Sequence, residues 1–222
     1  MQLKIKKNEF YLLNGPATVT VSGGSIEIIA AKVGAGEKVE VPVGKKIPLL
    51  GIEDSVCEID AQPEAVSKME ASSIPAEWDQ LADRIAGEKV KDSLYKVLVL
   101  GEVDTGKTFF STYLANRLLE KIGKTAILDC DTGQSDIGCP GTFGMLILKK
   151  PAIFLTEIDP TYMYLLGAHS PGLHFVPALT GLVEMLKKAE KNADALIIDT
   201  TGWVQGDGGR AIKKAKLDIV QP

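Results

Sequence analysis

The sequence predicts two domains of different class. Residues 1–75 read as a small all-β, sandwich-like domain, and residues 93–222 as an α/β domain with a mostly parallel sheet and helices on both faces. Three observations predict this. Residues 1–60 fall into short runs of alternating apolar and polar side chains, broken by glycine and proline. From residue 95 onwards, apolar runs alternate with stretches of helical periodicity, the pattern of strands linked by crossover helices. Between the two, AQPEAVSKMEASSIP reads as a linker and EWDQLADRIAGE as a short helix, so residues 76–92 join the domains.

Taken in order, LKIKK alternates, and ATVTVSGGSIEIIA reads as two strands joined in a hairpin at Ser22–Ser25. KVEVPVGKKIPLL puts Val39, Val41 and Val43 on one face, and SVCEID closes the set. Pro42 and Pro48 suit only edge strands or strand ends, because proline has no N–H to give a neighbouring strand. The second domain begins near Lys91. Its spacing predicts strands over 95–101, 125–131, 151–155 (PAIFL) and 194–199, with helices over 107–122, 178–191 and 209–215. The closing LDIVQP reads as the start of another buried strand, so the chain is expected to be the N-terminal part of a longer protein.

Composition narrows the function classes. No apolar run approaches the ~18 residues of a membrane span, and MQLKIKKNEF has no apolar stretch resembling a secretion signal. Three cysteines without a Cys-x-x-Cys pair point away from a disulfide frame or zinc site, and towards a reducing compartment, cytoplasmic or, in a eukaryote, nuclear. A net charge of −4 argues against a protein coated in positive charge for nonspecific nucleic-acid binding, though not against a local groove.

The strongest chemical signal follows the first strand of the second domain. Gly101-Glu102-Val103-Asp104-Thr105-Gly106-Lys107-Thr108 has the spacing of a phosphate-binding loop, and FFSTYLANRLLEKIG continues it as a helix starting with Phe109. Glycines at 101 and 106 let the backbone turn its N–H groups onto a phosphate, at the positive end of the helix. Lys107 is expected on the terminal phosphates and the Thr108 hydroxyl on Mg²⁺, which makes residues 101–109 the ATP-binding segment of a P-loop NTPase domain.

Acids come next. In KTAILDCDTGQSD, Asp129 and Asp131 lie two apart on a strand and therefore on one side of it, at its carboxyl end, where open α/β sheets hold ligands. One could serve Mg²⁺ through water and the other accept a proton from an attacking hydroxyl, with Gln134 orienting either. The plainer reading is a turn, since Asp-Thr-Gly is also turn chemistry. ALIIDT ends in Asp199, the position of the metal-serving acid in P-loop proteins. Trp203 follows the end of that strand, where a ring at the rim suits stacking on a nucleobase better than core filling. His169 and His174, with no cysteine partner, do not make a metal site.

GEVDTGKT, DCDTGQSDIGCPGT, YLLGAHSP and IIDTTGWVQGDGG, in that order and spacing, resemble the polynucleotide 5′-hydroxyl kinase family. That family includes the RNA kinase subunit associated with pre-mRNA cleavage and tRNA splicing, and its archaeal relatives. FYLLNGPATVTVSGG and GKKIPLL are similar to its small β domain. The resemblance implies transfer of the ATP γ-phosphate, with Mg²⁺, to the 5′-hydroxyl of RNA or DNA, and RNA-processing protein partners. It implies Lys107 and Thr108 on phosphates and metal, and Asp131 facing the attacking hydroxyl with Gln134 beside it. In the same way Trp203 would clasp the terminal base, and Ser170 with Pro171 hold the substrate end, while Asp129 and Asp199 are candidates for the metal from their strand positions alone. The family's lid arginines would fall beyond Pro222, where this chain offers only Arg84, Arg117 and Arg210, so ATP binding with slow transfer is expected of these residues. The rival expectations are an ATP-holding scaffold for RNA-processing partners, and a regulatory NTPase of the metallochaperone or partitioning type; neither has a use for Asp131, Gln134 and Trp203 together.

Overall fold

The computed structural model describes residues 1–90 and 93–222; the expected start of the second domain near Lys91 lies outside the described residues. The chain divides into two compact units, Met1–Trp78 and Asp79–Pro222.

The first unit is all-β. Its strands are β1 (Gln2–Ile5), β2 (Phe10–Asn14), β3 (Ala17–Gly23), β4 (Ser25–Ile28), β5 (Ala31–Gly34), β6 (Lys38–Val41), β7 (Lys46–Gly51), β8 (Ser55–Asp60) and β9 (Val66–Met69). They form two antiparallel sheets, ordered β1-β8-β3-β6 and β5-β4-β7-β2-β9. Alternate residues point inward, among them Val19, Val21, Ile47, Leu49, Cys57 and Ile59, as the period of two requires.

Two expectations fail here. The predicted hairpin at Ser22–Ser25 is a crossing from one sheet to the other, since β3 and β4 do not pair. Gly24 makes it possible, with φ +73 and no room for a Cβ beside Asp54 and Ser55. The hairpin is instead β4–β5, turning at Ile29 and Ala30, both with positive φ (50 and 58) and both buried. Such turns favour glycine or asparagine, so nothing in the sequence marks this one. Val43 is also off the predicted face, because β6 ends at Val41 and Val43 is exposed.

The second unit carries the α/β sheet. Helix α1 (Ala76–Glu88) contains the division point and buries Ala82 and Ile85. There follow β10 (Tyr95–Leu98), α2 (Lys107–Lys121), β11 (Thr125–Cys130), β12 (Thr142–Ile147), β13 (Tyr162–Leu165), α3 (Phe175–Asn192), β14 (Ala195–Thr200) and α4 (Gly206–Val220). The sheet order is β10-β14-β11-β12-β13. β14 runs parallel to β10 and β11, whereas β12 is antiparallel to both β11 and β13. The sheet is thus mixed rather than mostly parallel, as a consequence of two strands that the sequence reading omits.

Every residue of β11 and β14 is buried, as central strands covered on both faces must be. Leu128, Leu196 and Ile198 pack with Leu182 and Met185 of α3 and Ile212 of α4, while Ile127 and Ile197 pack with Leu114 and Leu118 of α2 and Ile85 of α1. Helices therefore cover both faces, as expected.

Two further elements differ. PAIFL is not a strand: the Asn116 side chain of α2 bonds both the N–H and the C=O of Ala152, and a 3₁₀ turn follows at Leu155–Glu157. Those side-chain bonds replace a sheet ladder. LDIVQP is not a strand either, because α4 runs on to Val220. Its inward face includes Lys213 and Lys216, which disguise the helical apolar spacing.

Candidate active site

The loop after β10 turns through Asp104 (φ +60) and Gly106 (φ +80) into α2. A Cβ on Gly101 would lie 2.8 Å from Thr105 Oγ1 and 3.4 Å from the Lys107 side chain, contacts that side-chain rotation can relieve, and Gly101 does not take the positive φ expected of it. Lys107 Nζ donates to the Glu102 carbonyl at 2.6 Å, and Thr105 Oγ1 donates to the same oxygen at 2.9 Å. Glu102, Val103, Asp104, Thr105 and Gly106 are exposed, and Phe109 is half-buried in the first turn of α2. Exposed backbone at a helix N-terminus is suited to an anion such as phosphate.

Thr108 Oγ1 donates to Asp199 Oδ2 at 2.6 Å. The β11–β14 register sets Asp129 directly opposite Asp199. Both acids are 4% exposed, and burial raises both pKa values. Hydrogen bonds from Thr108 and Thr200 partly offset the rise at Asp199. Asp129 is pushed up to about 7, with the charges of Asp199 and Asp131 adding to burial.

The two acids have different duties. Asp129 Oδ1 accepts the Asp131 amide at 2.8 Å, and Oδ2 accepts the amides of Asp136 (2.8 Å) and Ile137 (3.3 Å). It therefore shapes the following loop. Asp199 pairs with the Thr108 hydroxyl, and together they offer the hard oxygen donors that Mg²⁺ takes. Among the described residues no group of three or more His, Cys, Asp or Glu could hold a metal, so phosphate oxygens and water would complete the shell.

Asp131 is half-buried just past β11. Its Oδ1 accepts the amides of Gly133 and Gln134, both at 3.1 Å. The turn foreseen for Asp-Thr-Gly is real, and it leaves Oδ2 without a hydrogen-bond partner among the described residues. The Gln134 side chain is exposed.

Close approaches bring the remaining motifs together. A Cβ on Gly133 would meet the His169 carbonyl at 3.0 Å, which sets the Asp131 turn against the segment leading to Ser170. Ser170 Oγ accepts the Gly172 amide at 3.3 Å and caps the 3₁₀ turn Pro171–Leu173. Pro171 itself is buried, so the turn rather than the proline ring is presented. A Cβ on Gly202 would lie 2.6 Å from Val103 N and 2.7 Å from Val103 Cα, so the turn after Asp199 touches the phosphate loop. Gln205 Nε2 reinforces this with a 2.9 Å bond to Glu102 Oε1.

Trp203 is half-buried, tilted 49° to Phe175 with ring centroids 6.0 Å apart. Gly208 and Gly209 make space for the indole, since Cβ atoms there would lie 2.8 and 3.2 Å from it, and Gly172 borders the same end of the ring as Gly208. The ring is both packed and partly open, which joins the two readings weighed from spacing. His174 is the residue before α3, and its side chain makes no capping hydrogen bond to that helix.

Sequence reasoning missed Lys213, Gln205 and the Thr200–Thr201 pair. The i, i+3 lysines of α4 carried no signal, because lysines on a helix ordinarily face water.

The family model for the P-loop of the mRNA cleavage and polyadenylation factor CLP1 matches residues 101–222, more than half of the chain. A polyribonucleotide 5′-hydroxyl-kinase of Methanocaldococcus jannaschii is 38% identical over 135 residues, 60% of this chain and 37% of that protein. Its counterpart in Pyrococcus furiosus is 36% identical over 127 residues, 57% of this chain and 36% of that one. The chain thus spans well under half the length of these curated relatives. A CLP1 homologue of Brugia malayi is 27% identical across 95% of this chain and 54% of its own. In fold, Clp1p solved in complex with Pcf11p matches all of this chain and 58% of its own length, with a TM-score of 0.77 and 15% identity. The phosphate loop at Gly101–Thr108, the acid-rich turn at Asp131 and the Gly202–Trp203 turn all fall within the matched residues, and the chain belongs to the CLP1 P-loop family.

Proposed function

We propose that this chain carries the ATP-binding and phosphoryl-transfer site of a polynucleotide 5′-hydroxyl kinase, acting on the 5′-OH end of RNA or DNA. The observation that carries this is the seating of the Gly202–Trp203 turn against Val103 of the phosphate loop. It puts an indole suited to a terminal base beside a loop suited to a triphosphate. The archaeal relatives named polyribonucleotide 5′-hydroxyl-kinases support the same reading.

In this reading the amides of residues 101–106 and the Lys107 ammonium bind the ATP phosphates. Lys107 leaves the Glu102 carbonyl to do so. Thr108 and Asp199 would hold Mg²⁺, with Asp129 adding charge from the next strand. When bound, the ion draws charge from the β- and γ-phosphate oxygens. Trp203 and the Ser170–Pro171 turn place the strand end. The 5′-oxygen bonds to the γ-phosphorus as the bond from that phosphorus to the β,γ-bridging oxygen breaks. ADP leaves with the electron pair, and the hydroxyl proton passes to Asp131 Oδ2. The transition state is loose, so positioning and charge neutralisation supply most of the acceleration.

Arg84 pairs with Glu88 and Arg117 with Asp79, while Arg210 stands exposed in the first turn of α4. With two of three arginines engaged, this chain binds ATP and transfers slowly. A reducing compartment, cytoplasmic or nuclear, remains the expectation from three cysteines without a Cys-x-x-Cys pair. RNA-processing proteins are the expected partners, by likeness to the Clp1p–Pcf11p complex. Among the described residues no helix is long and apolar enough to cross a membrane.

The test is transfer of label from γ-labelled ATP to 5′-OH RNA, 5′-OH DNA or water, with Lys107→Ala as control. Label on the 5′ end that vanishes in the variant supports the kinase. Label only in water would mean an NTPase, and ATP binding with no transfer at all would mean a scaffold.

A further inference from the structure

Helix α4 turns two lysines inward, Lys213 (6% exposed) and Lys216 (2%). A buried ammonium must recover the hydrogen bonds it loses with water, and an apolar side chain of similar volume would fill the same space at lower cost. Lys216 rests over the Phe143 ring, 5.4 Å from its centroid. Lys213 finds its acceptors on two consecutive residues: Thr200 Oγ1 at 2.8 Å, the Thr201 carbonyl at 2.5 Å and Thr201 Oγ1 at 3.3 Å.

Each of those residues leads to the phosphate loop by a different route. Thr200 Oγ1 passes its own proton to the Val99 carbonyl at 2.8 Å, two residues before Gly101 where the loop departs from the sheet. Thr201 is joined to Gly202, which presses on Val103 inside the loop and leads directly to Trp203. One ammonium therefore fixes the root of the loop and the turn that bears the indole. Burial, with Lys216 nearby, draws the Lys213 ammonium down to about 7, the mark of a cation held with little water.

We propose that Lys213 is a positioning residue that holds the phosphate loop and the Gly202–Trp203 turn as one unit, so that nucleotide and 5′-OH strand end reinforce each other's binding. This rests on the kinase reading above. Lys213 touches neither ligand in it; it acts through Thr200 and Thr201.

The test is a binding cycle on the full 222-residue chain with a non-hydrolysable ATP analogue and a short 5′-OH oligoribonucleotide, each titrated alone and in the presence of the other. In the wild type the analogue is expected to tighten oligonucleotide binding roughly 5-fold or more, the ordinary range of coupling between sites. Lys213→Met should bring that factor to about 1 while each ligand alone binds within about 3-fold of wild type, a weaker loss than one lost charged hydrogen bond at a contact would give. Should Lys213→Met not fold, the near-isosteric Thr200→Val cuts the link to Val99 and should lower the factor in the same way. A merely structural role would lower the melting temperature and leave the ratio intact, and a retained ratio overturns the proposal. A wild-type chain that binds the analogue but no oligonucleotide overturns the kinase reading, and this inference falls with it.

Discussion

Gly202→Ala tests the geometry most directly. The added methyl would lie 2.5 Å from Val103 Cγ2, 2.6 Å from Val103 N and 2.7 Å from Val103 Cα. Ordinary contact begins near 3.4 Å, and backbone atoms cannot rotate aside, so the loop or the turn must move by about 1 Å. A misplacement of that size costs on the order of 100-fold in rate when it falls on aligned reacting groups. For the nucleotide itself we expect Kd to rise roughly 10-fold, about 1.4 kcal/mol. Fluorescent ATP-analogue titration reads the affinity, and label transfer to a 5′-OH oligonucleotide reads the rate. Gly208→Ala is the partner measurement, because its methyl would meet the Trp203 ring at 2.8 Å and not the phosphate loop. It should weaken oligonucleotide binding and spare ATP. Wild-type ATP affinity in a folded Gly202→Ala chain would refute the close seating of turn on loop.

Asp131→Asn keeps an oxygen for the amides of Gly133 and Gln134 while removing the proton acceptor. Transfer should fall roughly 10²- to 10⁴-fold, with unchanged ATP affinity and melting temperature; a loss of stability instead would mark the residue as a turn former alone. Thr108→Val removes the hydroxyl bonded to Asp199. The tightening of ATP binding by added Mg²⁺ should then disappear, whereas a variant that still responds to the metal would exclude Thr108 from its shell. Stability should also depend on pH with a minimum near neutrality, measured by denaturant melts without nucleotide or Mg²⁺. The folded pKa of Asp129 is raised from 3.8 to about 7, so the folded chain binds more protons than the unfolded one between those values and stability falls as pH rises through them. The folded pKa of Lys213 is lowered from 10.5 to about 7, so the folded chain binds fewer protons above 7 and stability climbs again up to about 9, above which the buried Cys57 and Cys130 thiols, raised from 9.0 to about 11, oppose it. Lys213→Met should flatten the alkaline limb, and an unchanged limb would contradict the burial of that ammonium.

The part of the molecule most legible in the sequence is the phosphate loop of the family, because its pattern is local. A phosphate loop is a run of eight residues in front of a helix; Gly106 takes the expected positive φ, whereas Gly101 does not and Asp104 does instead. Strand alternation does not extend to Asp131, because β11 ends at Cys130 and Asp131 belongs to the turn that follows. What stayed hidden depends on distant partners. TFGMLI and YMYL become β12 and β13 because β11 offers an open edge, and no short-range feature announces that. PAIFL has strand composition, but Asn116, thirty-six residues earlier in the chain, claims its main chain. Lys213 and Lys216 break the apolar stripe of α4 in sequence while occupying it in space. The Ile29–Ala30 turn is apolar because it faces inward, and burial outweighs the preference for glycine there.

The three amides gathered by Asp129 have a bearing on how mutants of this chain should be interpreted. Residue 129 acts as a template: the direction in which residue 131 points is inherited from it. On the kinase reading, a replacement at 129 would slow transfer by re-aiming residue 131, and the phenotype would imitate loss of the cation. Titrating Mg²⁺ separates the two, because excess metal rescues a weakened shell and does nothing for a misdirected carboxylate.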